Sequence, residues 1–141
     1  MNWFQKIFGG GRTRRVASGS LPLAQLESAA FGMQINLHAA YGIDVISSRV
    51  DNTNSMIPTF DSNCVLLLEK VPFESLGEGD IVTFKRGTQT IGHRLQRLTA
   101  RGWEVMGDGN AQIDQELVTP ENLDRRCMGI LYAKKTETTD Q

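Results

Sequence analysis

The chain has 141 residues, of which 40% are hydrophobic and 22% are charged, and its formal net charge is −1 at pH 7. This length and composition are those of one globular domain with its own core, and they exclude a highly charged disordered chain. The charge is not concentrated on a basic face, so no nucleic-acid partner is expected. No run of about 18 apolar residues occurs, which predicts no transmembrane helix. We therefore expect a protein that is cytoplasmic or peripheral to a membrane.

Residues 1–20 are predicted to form a flexible tail that is basic and amphipathic. Its large apolar side chains would share one face of a helix: Trp3, Phe4, Ile7 and Phe8. Aromatic and basic residues together are typical of a segment that contacts an anionic lipid surface. Three successive glycines, 9–11, would end such a helix after about two turns, which is marginal in water. Two alternatives to lipid contact stay open: the tail could dock on the body of the protein, or it could be disordered.

The next part of the chain predicts one short helix followed by a sheet. Apolar residues recur at steps of three and four at Leu23, Leu26, Ala30, Met33 and Leu37. Gly32 lowers the helix propensity of this stretch.

Short apolar runs with turn residues between them then predict β-strands, at 43–50, 65–68, 81–84, 90–98, 103–106 and 128–133. Regularly spaced short strands are typical of an antiparallel-rich sheet or barrel. The expected fold is therefore mainly β, with a short N-terminal helix.

Cys64 and Cys127 each lie near the start of an apolar run. Their wide separation fits neither a zinc site nor a small disulfide scaffold, so we interpret them as buried free thiols. A disulfide between neighbouring strands stays open as an alternative. No group of His, Cys and acidic residues has the spacing of a metal site, and no metal or cofactor is expected.

The most informative stretch is Asn54-Ser55-Met56-Ile57-Pro58-Thr59. Pro58 fixes its own φ and disfavours helical backbone at Ile57, so Ser55 is presented from a rigid bend. A serine hydroxyl held at such a bend can act as a nucleophile if a base reaches it. Taken alone, the motif favours an ordinary turn before a strand, because Asn, Ser and Pro are common turn formers.

Two later motifs supply the other parts of a serine hydrolase. Gly92-His93-Arg94 provides an imidazole, and Gly107-Asp108-Gly109-Asn110 with Asp114 provides carboxylates. Histidine titrates near neutrality and can accept the serine proton, but it needs an acceptor that orients its ring. Asp108 and Asp114 are the two candidates for that acceptor.

Ser-Met-x-Pro-Thr, Gly79-Asp80-Ile81-Val82, Gly92-His93-Arg94-Leu95 and the Gly-Asp-Gly-Asn motif with Asp114 occur in the order seen in one family. In this order they resemble the type I signal peptidase superfamily over roughly residues 43–135, and four ordered motifs are far more specific than one. Bacterial members have a lysine at the position of His93, so this chain is similar to the Ser-His variant of archaeal and endoplasmic-reticulum enzymes.

The resemblance implies a coiled antiparallel sheet and a role for each matched residue. Ser55 would be the nucleophile, His93 the general base and Asp114 the orienting carboxylate, with Asp108 in the turn beside them. The Ser55 N–H and the Thr53 hydroxyl would form the oxyanion hole. Met56 and Ile57, next to the nucleophile, would contact the substrate.

The expected function is that of a serine endopeptidase, which cleaves an extended peptide or preprotein after small residues. Residues 21–135 would form the catalytic domain, and 136–141 a frayed C-terminal tail. One alternative is a soluble self-processing regulator similar to the SOS-repressor autoproteases, with cuts near Ala17-Ser18-Gly19 or Ala29-Ala30. Another is a non-catalytic regulatory module with the same fold.

Overall fold

The computed structural model describes residues 15–51 and 54–136. One helix, α1 (Leu23–Tyr41), precedes seven strands, and a short 3-10 turn (Phe73–Ser75) follows the second strand. The strands are β1 (Val45–Arg49), β2 (Cys64–Glu69), β3 (Ile81–Arg86), β4 (Gln89–Thr99), β5 (Gly102–Met106), β6 (Leu117–Val118) and β7 (Leu123–Tyr132).

All seven strands belong to one antiparallel sheet with the order β1-β2-β7-β3-β4-β5-β6. The expectation of a mainly β fold is confirmed, and each of the six predicted runs overlaps a strand. The sheet is open, so the barrel form of the prediction is wrong. The apolar pattern missed β6, because two residues are too few to show a period.

The helix α1 extends through Gly32 to Tyr41 and is therefore longer than predicted. It ends at Gly42, whose φ of 67° is the left-handed conformation that glycine adopts without steric cost. Its buried residues Leu26 and Ala30 pack against Val65 of β2. In the described ranges, no helix is both long enough and apolar enough to cross a membrane.

Two apolar clusters fix the sheet around the bend at Ser55. The first core contains Met56 and Phe60 from the bend, together with Cys64, Leu66 and Leu68 of β2, Ile81 of β3 and Val16. The second core contains Val82 and Phe84 of β3, together with Leu76, Leu95, Trp103, Val105 and Val118. Because Ile81 and Val82 are adjacent in a strand, they point to opposite faces, so the two cores lie on opposite sides of β3.

The last strand along the chain, β7, lies in the middle of the sheet. It pairs with β2 on one side and with β3 on the other. Among the strands of the described ranges, β1 and β2 are therefore joined to β3–β6 only through β7.

Candidate active site

The nucleophile loop, residues 54–60, is a tight bend anchored by its own backbone. Thr59 N–H donates to the Met56 carbonyl at 2.7 Å, and Phe60 N–H donates to the same oxygen at 3.2 Å. The Ile57–Pro58 peptide bond is cis. Met56 and Phe60 are buried in the first core, so the side chains on either side of the bend hold Ser55 at the surface of that core.

His93 lies on β4, opposite Val82 of β3. Its ring is buried, and Phe84 of the second core contacts it edge-on with 6.3 Å between ring centroids. The Nε2 atom of His93 lies 3.2 Å from Ser55 Oγ. The imidazole is therefore within hydrogen-bond reach of the hydroxyl of the bend.

Asp114 completes a chain of three polar side chains. Its Oδ2 atom lies 2.7 Å from His93 Nδ1, and its side chain is only 6% exposed. The backbone N–H of Asp114 donates to the Val105 carbonyl at 2.9 Å, which ties this residue to the end of β5. Since a carboxylate faces Nδ1, that nitrogen carries the ring proton in neutral His93, and Nε2 presents its lone pair to Ser55.

Asp108 does not contact the His93 ring in this way, and its partners are Arg94 and Thr59. Arg94 Nε and a terminal nitrogen donate to the two carboxylate oxygens of Asp108 at 2.9 and 2.7 Å, while the Thr59 hydroxyl donates to Oδ2. Arg94 also donates to the Gly79 carbonyl at 2.9 Å. Asp108 therefore links the nucleophile loop, through Thr59, to the strand that carries His93.

These contacts set the protonation of the Asp108 carboxyl. The hydrogen bonds from Arg94 lower the pKa of Asp108, with a smaller contribution from Thr59. The hydrogen bond to Asp108 correspondingly raises the pKa of Arg94. The pair is therefore fully charged at neutral pH.

We expect Asp108→Asn to lower the free energy of unfolding at pH 7 by about 2 kcal/mol, the scale of a hydrogen bond to a charged group. A carboxylate with a lowered pKa contributes stability above its unfolded-state pKa of about 4, and this is lost as the pH falls through the folded-state value. The difference between wild type and mutant should thus shrink below about pH 4, as measured by urea unfolding at several pH values.

The control is Asp44→Asn, which removes the ion pair between a carboxylate that is 63% exposed and Arg125. Such surface pairs contribute about 0–1 kcal/mol, so the control should unfold almost like wild type at pH 7. A difference for Asp108→Asn that stays constant down to pH 3 would contradict the role assigned to the Arg94 pair.

The backbone of residues 107–110 packs directly against the nucleophile loop. Gly109 N–H donates to the Ser55 carbonyl at 2.7 Å, and Asn110 N–H donates to the Gly107 carbonyl at 2.9 Å. A Cβ atom at Gly107 would lie 2.5 Å from the Ser55 carbonyl oxygen and 3.0 Å from His93 Nε2. Glycine at 107 is therefore required by the close approach of the bend and the imidazole.

The structure brings Ser55, His93 and Asp114 together and places the other predicted site residues apart from this chain of hydrogen bonds. Thr53 lies outside the described residues. Met56 is fully buried, and its Sδ accepts from the Asp108 N–H at 3.3 Å, so its side chain supports the loop and does not face a substrate. A contact of Met56 with substrate would therefore have to be made by its backbone, and it stays a prediction. Ile57 is partly exposed, and its contact with the substrate stays a prediction.

The predicted lipid-contacting residues of the tail, Trp3, Phe4, Ile7 and Phe8, also lie outside the described residues. Within the ranges that the structure describes, no three His, Cys, Asp or Glu side chains are grouped so that they could share a metal ion. Cys64 and Cys127 are free, and burial raises the pKa of the Cys64 thiol to about 11.

Sequence reasoning missed two arginines of the site. Arg94 was named only as part of the Gly92-His93-Arg94 motif, but its side chain is one-third exposed and bound to Asp108. Arg86 was not singled out, although it donates to Asp114 Oδ2 at 3.1 Å and to Glu116 at 2.9 Å. Arg94 follows His93 directly in the sequence, and this position could have indicated a role in the site. No local sequence pattern indicates such a role for Arg86.

No protein-family model, curated protein or solved structure matches this chain. The likeness to signal peptidases therefore depends on the four sequence motifs. The geometry around Ser55 is independent of that likeness, because it follows from the positions of three side chains.

Proposed function

We propose that this chain is a serine endopeptidase resembling type I signal peptidase, which cleaves an extended peptide after a small residue. The observation that carries the proposal is the continuous chain from Ser55 Oγ through both ring nitrogens of His93 to Asp114, with separations of 3.2 and 2.7 Å. A buried imidazole with a carboxylate on one nitrogen and a hydroxyl on the other is the arrangement that activates a serine.

In this mechanism Ser55 Oγ attacks the peptide carbonyl carbon while His93 Nε2 takes the hydroxyl proton. The imidazolium so formed is stabilised by Asp114. His93 then gives that proton to the leaving amine as the C–N bond breaks, which leaves an acyl group on Ser55. A water molecule, deprotonated by His93, attacks the ester, and the acid product and the free serine are released.

An extended substrate would find an unpaired strand edge beside the triad of Ser55, His93 and Asp114. β4 pairs with β3 over residues 89–94 but with β5 only from Arg94 onward. In the described part of the chain, no strand pairs with the other edge of residues 89–92, which ends next to His93. A peptide added to this edge would gain backbone hydrogen bonds and would present its carbonyl toward Ser55.

The preference for alanine-like residues before the cleaved bond is taken from the resemblance to signal peptidases. On the proposed edge itself, Gly92 has no side chain, and a Cβ atom there would lie 3.7 Å from Thr83 Cγ2 and 3.9 Å from Phe60 Cζ, which is ordinary van der Waals contact.

The test is mass spectrometry of a peptide that carries an Ala-x-Ala site, incubated with the wild-type chain or with Ser55→Ala, each with and without anionic lipid vesicles. We expect cleavage after the second alanine by the wild type only. A peptide with leucine at that position is the substrate control and should be cleaved much more slowly. A stimulation by lipid would support a peripheral membrane location.

Cleavage that persists in Ser55→Ala would contradict the proposal, because it would come from another residue or from a contaminant. A serine-directed fluorophosphonate probe gives a second readout that needs no peptide sequence. It should label the wild type at Ser55 and leave His93→Gln unlabelled. A wild type that neither cleaves nor reacts would favour the non-catalytic regulatory module.

Self-processing is the second candidate, and one contact favours it. Val16 is buried in the first core with Met56, the neighbour of Ser55, and Arg15 and Ile57 line one surface depression. The segment near residue 17 thus passes close to the nucleophile loop. The Ala29–Ala30 bond is a poor cut site, since it lies within α1 with Ala30 fully buried.

Intact mass after storage distinguishes the two candidates. A chain shortened near residue 17 in the wild type, with Ser55→Ala unchanged, would support self-processing. Cleavage of the added peptide with an unchanged enzyme mass would support the endopeptidase.

A further inference from the structure

The guanidinium of Arg86 lies beside the carboxylate of Asp114 and has no role in the mechanism proposed above. Arg86 is the last residue of β3, and one of its terminal nitrogens lies 3.1 Å from Asp114 Oδ2. This is the same oxygen that lies 2.7 Å from His93 Nδ1. One carboxylate oxygen therefore joins the imidazole to a guanidinium.

The Arg86 side chain is held in this position by two further contacts. It donates to Glu116 Oε1 at 2.9 Å, and its guanidinium carbon lies 5.8 Å from the centre of the Phe84 ring. Phe84 in turn contacts the His93 ring. Although the Arg86 side chain is 37% exposed, its charged end is fixed by a carboxylate and an aromatic face.

A nearly buried carboxylate needs a compensating charge, and the His93 ring supplies one only when it is protonated. Arg86 supplies it and also fixes the direction of Oδ2. The negative charge of Glu116 then balances the positive charge of Arg86. When His93 becomes an imidazolium, the charges alternate in sign from His93 through Asp114 and Arg86 to Glu116.

We propose that Arg86 is a positioning residue for the triad, which orients Asp114 toward His93 and is itself held by Glu116. This inference rests on the proposed function for its kinetic consequence, but the contact itself does not. Arg86 would touch neither substrate nor the reacting atoms, and it would act only through Asp114.

The kinetic test compares Arg86→Gln and Arg86→Lys with a matched control, Arg97→Gln. Arg97 on β4 forms a similar ion pair with Glu104 on β5, but its side chain is 72% exposed and its ion-pair partner is not a residue of the triad. Arg86→Gln should lower kcat by about 10- to 100-fold, the scale of one hydrogen bond to a charged group, with KM unchanged. Arg86→Lys should recover part of this loss, and Arg97→Gln should match wild type.

The second readout needs no catalysis. The proton on His93 Nδ1, hydrogen-bonded to a buried carboxylate, should give a low-field proton NMR resonance that is absent in His93→Gln. In Arg86→Gln this resonance should move or broaden, while in Arg97→Gln it should stay in place. A merely structural loss elsewhere in the sheet would leave it unchanged.

These measurements separate the two proposals. A perturbed resonance in Arg86→Gln, with a wild type that cleaves no peptide, would support the positioning contact and overturn the proposed function. An active wild type with Arg86→Gln equal to Arg97→Gln in both kcat and the resonance would overturn the positioning role alone. If Arg86→Gln fails to fold, Glu116→Gln decides, because an unchanged kcat and resonance in that variant would overturn the inference.

Discussion

Replacing Asp114 with Asn should lower kcat by about 1,000- to 10,000-fold, the scale seen when a triad carboxylate becomes an amide. The amide group can offer an N–H to His93 Nδ1, which favours the ring tautomer with its proton on Nε2. That tautomer cannot accept the Ser55 proton. The residual rate would come from substrate positioning and the oxyanion donors, so it should stay above the uncatalysed rate.

Asp108→Asn is the matched comparison, since it is the same change six residues away. Asp108 contacts Arg94 and Thr59 and not His93 Nδ1, so its loss should mainly lower stability. Peptide cleavage rates and urea unfolding of both variants check this. Equal losses of kcat at equal stability would contradict a single orienting carboxylate, and a larger loss in Asp108→Asn would reverse the assignment.

Adding one methyl group at Gly107 should reduce kcat by about 100-fold or more, because a displacement of about 1 Å in an active site can have that effect. The new Cβ would lie 2.5 Å from the Ser55 carbonyl oxygen, 2.8 Å from Asn110 Nδ2 and 3.0 Å from His93 Nε2. Either the bend or the imidazole has to move. Both movements disturb the 3.2 Å contact between Ser55 Oγ and His93 Nε2.

Gly77→Ala is the control for Gly107→Ala, because nothing lies within 4 Å of a Cβ at position 77. It should retain wild-type kcat. Circular dichroism of both variants checks that the sheet is intact. A Gly107→Ala variant that folds and cleaves like wild type would show that the loops adjust without changing the triad, contrary to the expectation.

The strands were predictable because their apolar residues are consecutive or alternate over four or more positions, as in Cys64–Glu69. β6 was not predictable, since its two residues are ordered by pairing with Trp103 and Glu104 of β5 and not by their own pattern. The open form of the sheet also could not be read from the chain. Closure depends on whether the first and last strands in spatial order meet, which local spacing does not determine.

At the candidate site, Ser55, His93 and Asp114 were indicated by the order of their motifs along the chain, because no single one of these motifs is specific. The choice between Asp108 and Asp114 needed the geometry, since both follow β5 in one loop. Arg86 could not be found from the sequence, because it lies 28 residues from Asp114 and meets it only through the pairing of β3, β4 and β5.

The central place of β7 has a consequence for the newly synthesised chain on the ribosome. The nucleophile loop leads into β2, whereas His93 lies on β4, and these strands share a sheet only once residues 123–132 have inserted between β2 and β3. Until β7 has been synthesised, the loop with Ser55 and the strand with His93 belong to separate parts of the sheet. Under the proposed function, the hydroxyl and the imidazole would come within reach of each other only after β7 has inserted, so the order of synthesis would delay assembly of the candidate site.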